Sequence, residues 1–168
     1  MQNFLLSPHF RLKEFVASET AERHGIDNTP SVEAVENLRR LCEGTLEPLR
    51  EALGQPVVIT SGYRCKTLNE LLVHHSRKSQ HMAGQAADLY IGSGLTVHGS
   101  GLSRRELLIR AFREILQNPK IDFDQLILYP TFIHVSYVSR DKNRRKLTKA
   151  FGNGTYCALS HEQALSIA

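Results

Sequence analysis

The sequence predicts an α+β fold, a single domain over residues 1–168 in which a largely antiparallel sheet carries helices on one face and leaves the other for chemistry. Three observations predict it. Helical periodicity fills the first third of the chain. Short runs rich in β-branched and aromatic residues come later, mixed with one more helix. Pro130-Thr131 then separates two such runs by a tight link, which reads as an antiparallel hairpin. This order is not the strand–helix alternation of a parallel sheet. Composition agrees with a folded domain, since 41% apolar and 23% charged residues exclude a disordered, collagen-like or coiled-coil chain. A chain of 168 residues buries roughly two thirds of the surface it exposes unfolded, enough to fold without staples. No apolar run approaches the ~20 residues of a membrane span.

Each element has a local reason. Leu12, Phe15 and Val16 share a helical face, and Gly25 stops the stretch that follows. Asp27 to Pro30 is a loop into a long helix, with Thr29 as N-cap and Pro30 in the first helical position. From Val32 to Leu53 apolar residues recur every three to five positions, a stripe that faces the core. Pro48 lacks the amide that would continue the ladder, so it bends this helix or splits it near Gly44. Val57 to Thr60 is a buried strand, Ser61 to Cys65 the loop that leaves it, and residues 66–73 a helical turn. Ala86 to Ile91 is the second strand, and Ser93 to Gly101 a loop of glycines and serines. Ser103 and Glu106 form a capping box that opens the helix over residues 103–117. Gln125 to Tyr129 and Phe132 to Val138 are the hairpin strands, and Ser160 with Gln163 caps a short terminal helix. Helices 30–53 and 103–117 are expected to cover the same face of the sheet.

The net charge of +4 is mild, with denser spots at Arg39-Arg40 and over Arg140 to Lys149, where six cations meet one acid. That second run suits either an anion-binding patch or a solvated loop. No aromatic residue is interleaved for base stacking, so no nucleic-acid partner is expected. Cys42, Cys65 and Cys157 show no CxxC spacing, which suggests neither a disulfide framework nor a thiolate zinc site. The first residues lack a basic region followed by an apolar core, so no signal peptide is expected.

Of eight histidines, His9, His24, His98 and His161 fall in predicted loops or at helix ends without a partner at ligand spacing. His74 and His75 are adjacent, and adjacent side chains do not face one another on a helix. His81 and His134 differ. His81 precedes Gly84 and a set of alanines in a loop that turns into the second strand. In that strand Asp88 shares a face with Ala86 and Tyr90, a lone acid among apolar residues. A buried carboxylate must be paired or bound to a metal. His134 lies mid-strand between Ile133 and Val135. Two histidines and one carboxylate with an open fourth position make a catalytic zinc site. The same residues also allow a core salt link between Asp88 and a histidine, or between Asp88 and Arg64.

The segment SGYRC…LN…SQHMAGQAADLYI, followed by FDQLILYPTFIHVSY, resembles the zinc D-Ala-D-Ala carboxypeptidase family. That family includes cell-wall dipeptidases and phage peptidoglycan endopeptidases, and shares its fold with the hedgehog signalling domain. The shared pattern comprises Ser79, His81, Gly84, Ala86 and Asp88, then His134, with the Ser61-to-Arg64 turn and an entry helix in LSPHFRLKEFVAS. It covers residues 6–138 and leaves 139–168 as a basic segment and a short helix. The resemblance implies one Zn2+ per chain, held by His81, Asp88 and His134, and hydrolysis of peptidoglycan stem peptides as a carboxypeptidase or an endolysin-like endopeptidase. It further implies that Arg64 binds a substrate carboxylate or a developing oxyanion, and that Ser79 orients the loop or a substrate group.

One position departs from the pattern. The family carries an acid three residues before the last histidine, as general base, and here that residue is Thr131. A threonine does not accept a proton at neutral pH. Asp124 is the first substitute, unless it caps or braces its strand, and Tyr129 is the second. The departure also admits a different class of function, a metal-binding wall module that has lost hydrolysis. With no signal peptide expected, a wall enzyme of this kind would be made in the cytoplasm and released by a phage-type or other non-signal route.

Overall fold

The computed structural model describes residues 3–73, 76–92 and 101–167, so His74, His75, His98 and nearly all of the predicted 93–101 loop lie outside the described residues. The short apolar runs build one six-stranded sheet. Its spatial order is β1 (Val57–Ser61), β2 (Ala86–Ile91), β4 (Ile133–Ser136), β3 (Gln125–Leu128), β5 (Lys146–Ala150) and β6 (Tyr156–Ala158). Neighbours are antiparallel except β3 and β5, which run parallel. The fold is α+β, with a mostly antiparallel sheet. Tyr129 N–H donates to the Phe132 carbonyl at 3.0 Å and closes the predicted hairpin around Pro130-Thr131.

The two-residue period sorts each strand into two faces. Ala87, Leu89, Leu126, Leu128, Ile133 and Val135 are buried on one of them. There they join the core side chains of α1 (Leu12–Val16), α3 (Val32–Leu41), α4 (Glu47–Leu53) and α6 (Arg104–Gln117), among them Phe15, Leu38, Leu49 and Phe112. Each such side chain contributes about 1.5–3 kcal/mol by leaving water. The other face carries a cross-strand row. Asp88 pairs with His134, His134 with Ile127, and Ile127 with Thr148.

The long N-terminal helix is interrupted where Pro48 predicts. A π-helical turn over Cys42–Leu46 joins α3 to α4. Pro48 has no amide to give the Gly44 carbonyl, and Asp122 N–H supplies one at 3.0 Å from outside the helix. Thr45 Oγ1 donates in return to the Asp122 carbonyl at 2.6 Å. The start of α3 differs from expectation. Ser31, not Thr29, is its cap, accepting from Ala34 N–H at 3.1 Å. Thr29 is taken instead by an Asx turn, its N–H donating to Asp27 Oδ1 at 2.9 Å. Pro30 therefore stays outside the helix, and Val32 is 88% exposed rather than part of the core stripe.

The shorter elements follow their caps. Ser18 caps α2 (Glu19–Arg23), Cys65 caps α5 (Lys66–Leu71), and the boxes at Ser103/Glu106 and Ser160/Gln163 open α6 and α7 (His161–Leu165). The Arg140-to-Lys149 run begins as a largely exposed loop over residues 140–145. Its end is β5, with Leu147, Thr148 and Ala150 buried, and Arg144 and Arg145 are ion-paired to Asp124 and Asp122. Among the described residues no helix is long and apolar enough to cross a membrane.

Candidate metal centre

Asp88 and His134 face each other across β2 and β4, so their side chains leave the sheet side by side. His134 Nδ1 lies 2.8 Å from Asp88 Oδ1. His81 arrives from a 3₁₀ turn, Gln80–Ala83, just before β2. That turn ends at Gly84, whose φ of +69° suits glycine. A Cβ there would meet the Ala34 backbone of α3, with the carbonyl carbon at 2.9 Å. Asn37 of α3 donates to the Ala83 carbonyl at 2.9 Å and fixes the same approach. Gly84→Ala should therefore lower unfolding free energy by about 3 kcal/mol, through a left-handed alanine and a backbone clash together. Urea denaturation checks this, and a variant as stable as its parent would refute the account.

The His81 ring is set by a bond to main chain. Its Nδ1 lies 2.6 Å from the Gly62 carbonyl, which can only accept, so Nδ1 carries the proton. Nε2 then turns its lone pair inward, 3.2 Å from His134 Nδ1. His81, Asp88 and His134 each offer one ligand atom, all within 4.8 Å of one another. Burial pushes the His81 pKa below its ordinary value, against the pull of Asp88. Burial pushes Asp88 up, but its contacts with His81 and His134 outweigh that and hold the carboxyl well below the usual range. A neutral imidazole with an inward lone pair beside an ionised carboxylate is what a divalent cation needs. Two nitrogens and an oxygen suit zinc, so the residues present fit it.

Arg64 completes the group. Its Nη2 donates to Asp88 Oδ2 at 2.8 Å and lies 3.1 Å from His81 Nε2. Its Nε donates to Ser61 Oγ at 2.9 Å. Both sequence-level possibilities are thus present in one cluster: Arg64 takes Oδ2 as a salt link, while Oδ1 faces the histidines. The loop that delivers Arg64 is anchored by Asn28, a residue read only as part of a turn. Its Nδ2 donates to the carbonyls of Val16 at 2.9 Å and Tyr63 at 3.1 Å, and its Oδ1 accepts from Cys65 N–H at 2.8 Å. No spacing rule marks Asn28, because its partners are the end of α1 and a loop some 35 residues further along the chain.

Ser79, Asp124 and Tyr129 line the same cleft, an opening of about 1170 Å³ over the His81–Asp88–His134 group. The Ser79 side chain caps nothing on the turn it opens. Asp124, 1% exposed, has the hydrogen bonds of a brace. Its Oδ1 accepts from the N–H and Nε of Arg144, each at 2.9 Å, and its Oδ2 from Gln80 Nε2 at 2.9 Å and from Arg144 Nη2. Burial pushes its pKa up, and the bonds from Arg144 and Gln80 outweigh that and hold it below the usual 3.8. A depressed carboxyl contributes stability that is complete above its unfolded value and is lost as pH falls through the folded one. The denaturation midpoint should therefore fall in acid, and less steeply for Asp124→Asn than for the parent. Equal acid slopes would argue against the brace. Burial and the Tyr156 hydroxyl, 3.3 Å away, push the Tyr129 phenol well up, so it is a hydrogen-bond donor and not a base at neutral pH.

Among the described residues the remaining histidines stand apart. His9 has an acidic partner after all, Glu47 at 2.8 Å, but the pair is on the surface far from the cleft. His24 and His161 are exposed. A family model described as Peptidase M15 matches residues 8–136, about three quarters of the chain, ending at the last residue of β4. A search of the curated proteins found no match.

Proposed function

The chain belongs to the peptidase M15 family, and on that premise we propose that it is a zinc-dependent peptidase acting on peptidoglycan stem peptides. The observation that carries the proposal is the His81–Asp88–His134 group on the floor of an open cleft. Bound there, zinc would polarise a scissile carbonyl and lower the pKa of water. The residues of the chain do the rest. The Gly62 carbonyl holds His81 in one tautomer, and Arg64 holds Asp88 in place through Oδ2. Among the described residues Arg64 Nη1 makes no hydrogen bond, which leaves it to receive a substrate carboxylate or a developing oxyanion. Ser79 stands at the mouth with its hydroxyl available to the substrate. The reading covers removal of a terminal D-Ala and cleavage within the stem.

A second reading, a metal-binding wall module without hydrolysis, is favoured by one observation. Asp88 and Asp124 are the carboxylates that line the cleft among the described residues, and both are engaged by arginine. Metal content of the purified protein, paired with mass spectrometry of muropeptides after incubation with zinc, decides between them. About one equivalent of metal with a shortened or cut stem supports the peptidase. Metal with binding but no cleavage supports the module. A chain that neither carries nor takes up metal refutes both.

A further inference from the structure

We propose that β5 forms a second subsite in the cleft, in which Thr148 Oγ1 and Lys146 Nζ receive an acidic group of the bound peptide about 10 Å from the metal-ligand group. The proposal deepens the peptidase reading and rests on it for the identity of the ligand.

Four observations converge on this strand. The family match ends at residue 136, yet residues beyond it build a wall of the cleft, including Lys146, Thr148 and Tyr156. Thr148 is 7% exposed, and its Oγ1 has no hydrogen-bond partner. A buried hydroxyl without a partner is destabilising, and such groups in folded proteins call for an explanation. A ligand entering the cleft would satisfy this one.

The charge balance gives the sign of that ligand. Arg64 and Arg144 neutralise the two cleft carboxylates. Lys78, Lys142 and Lys146 also line the cleft, and among the described residues none of them has a carboxylate partner. Lys146 and Thr148 are two residues apart on one strand, so they present their side chains to the same face. That face meets an anion with one cation and one neutral donor.

Register gives the distance. Thr148 lies in the row Asp88–His134–Ile127–Thr148, two strands from His134. Two strand spacings are about 10 Å, and an extended peptide advances about 3.3 Å per residue. Two residues carry a peptide about 6.6 Å across the sheet from the metal group, and a γ-linked third residue, with its longer main chain, places its α-carbon about 10 Å out, over Thr148, with buried Ile127 as the apolar floor between. In a stem of L-Ala-γ-D-Glu-L-Lys-D-Ala-D-Ala, the third residue on the acyl side of the terminal bond is γ-D-Glu. Its free α-carboxylate is the acidic group assigned to this subsite.

The test uses the tetrapeptide L-Ala-γ-D-Glu-L-Lys-D-Ala, which lacks the terminal bond, and its counterpart with that α-carboxylate amidated. Calorimetric titration of the full chain should show the acid form binding about tenfold more tightly than the amide. Thr148→Val and Lys146→Gln should each remove most of the difference and leave amide binding unchanged. Thr148→Val should not lower the melting temperature, because it deletes a buried hydroxyl that has no partner. Equal binding of acid and amide, undiminished discrimination in Thr148→Val, or no binding of either peptide overturns the subsite. A parallel assay of pentapeptide cleavage separates the two claims. Cleavage without discrimination removes the subsite alone, and discrimination without cleavage removes the peptidase reading alone.

Discussion

Replacing His134 by alanine is expected to abolish metal retention and reduce zinc-dependent cleavage of muropeptides to background, with the fold preserved. His134 projects from the site face of β4, so its loss opens no gap among Ile133, Val135 and the helices on the other face. Asp88 loses a hydrogen bond of 2.8 Å but keeps Arg64 at 2.8 Å, so no buried charge is left unpaired. The donor set falls from three to two. Affinity should drop by more than the roughly 10–100-fold that loss of an outer hydrogen-bond partner costs a metal site. His81→Ala should do the same at greater cost to stability, because His81 is more deeply buried and carries the bond to Gly62. His74→Ala and His75→Ala should keep about one equivalent of metal per chain. Elemental analysis with circular dichroism on each variant checks this. A folded His134→Ala protein that holds metal as well as its parent would dismantle the assignment.

How much of this was legible in the sequence depends on what each residue contradicts locally. Asp88 and His134 are polar residues inside apolar strands, and a conflict with the two-residue period is visible without a structure. The hairpin was legible because Pro130-Thr131 interrupts two strands of one pattern. Thr29 and Ser31 are both good caps, and the choice of Ser31 turned on Asp27 engaging Thr29, a side-chain competition that propensity does not resolve. β5 was hidden because Lys-Leu-Thr-Lys-Ala holds one large apolar residue and sits in a run of cations. The two arginines beside it looked like surface charge until Asp122 and Asp124 were brought against them from before β3. Strand pairing, not local pattern, places Thr148 in the same row as His134.

Thr131→Glu is expected to raise the hydrolytic rate of the zinc-loaded protein by about 10²–10⁴-fold, the contribution of a positioned general base. Thr131 is exposed in the turn at the rim of the cleft, so a longer acidic side chain meets no core. Tyr129 and Phe132, which bracket the turn in sequence, stack on each other with ring centroids 4.1 Å apart, which holds the turn in place for the new carboxylate. The acidic and phenolic groups already lining the cleft are engaged elsewhere. Asp88 is committed to Arg64 and His134, Asp124 to Arg144 and Gln80, and Tyr129 keeps its proton. Thr131→Gln matches the glutamate in size without accepting a proton, and should leave the rate where it was. Asp124→Asn should also leave the rate unchanged while weakening the fold, since it disturbs a brace and not a base. Initial rates on a purified muropeptide, with metal content measured for each variant, give the comparison. A native rate that Thr131→Glu fails to improve would overturn the expectation. A rate lost in Asp124→Asn with metal and fold retained would move the base to Asp124.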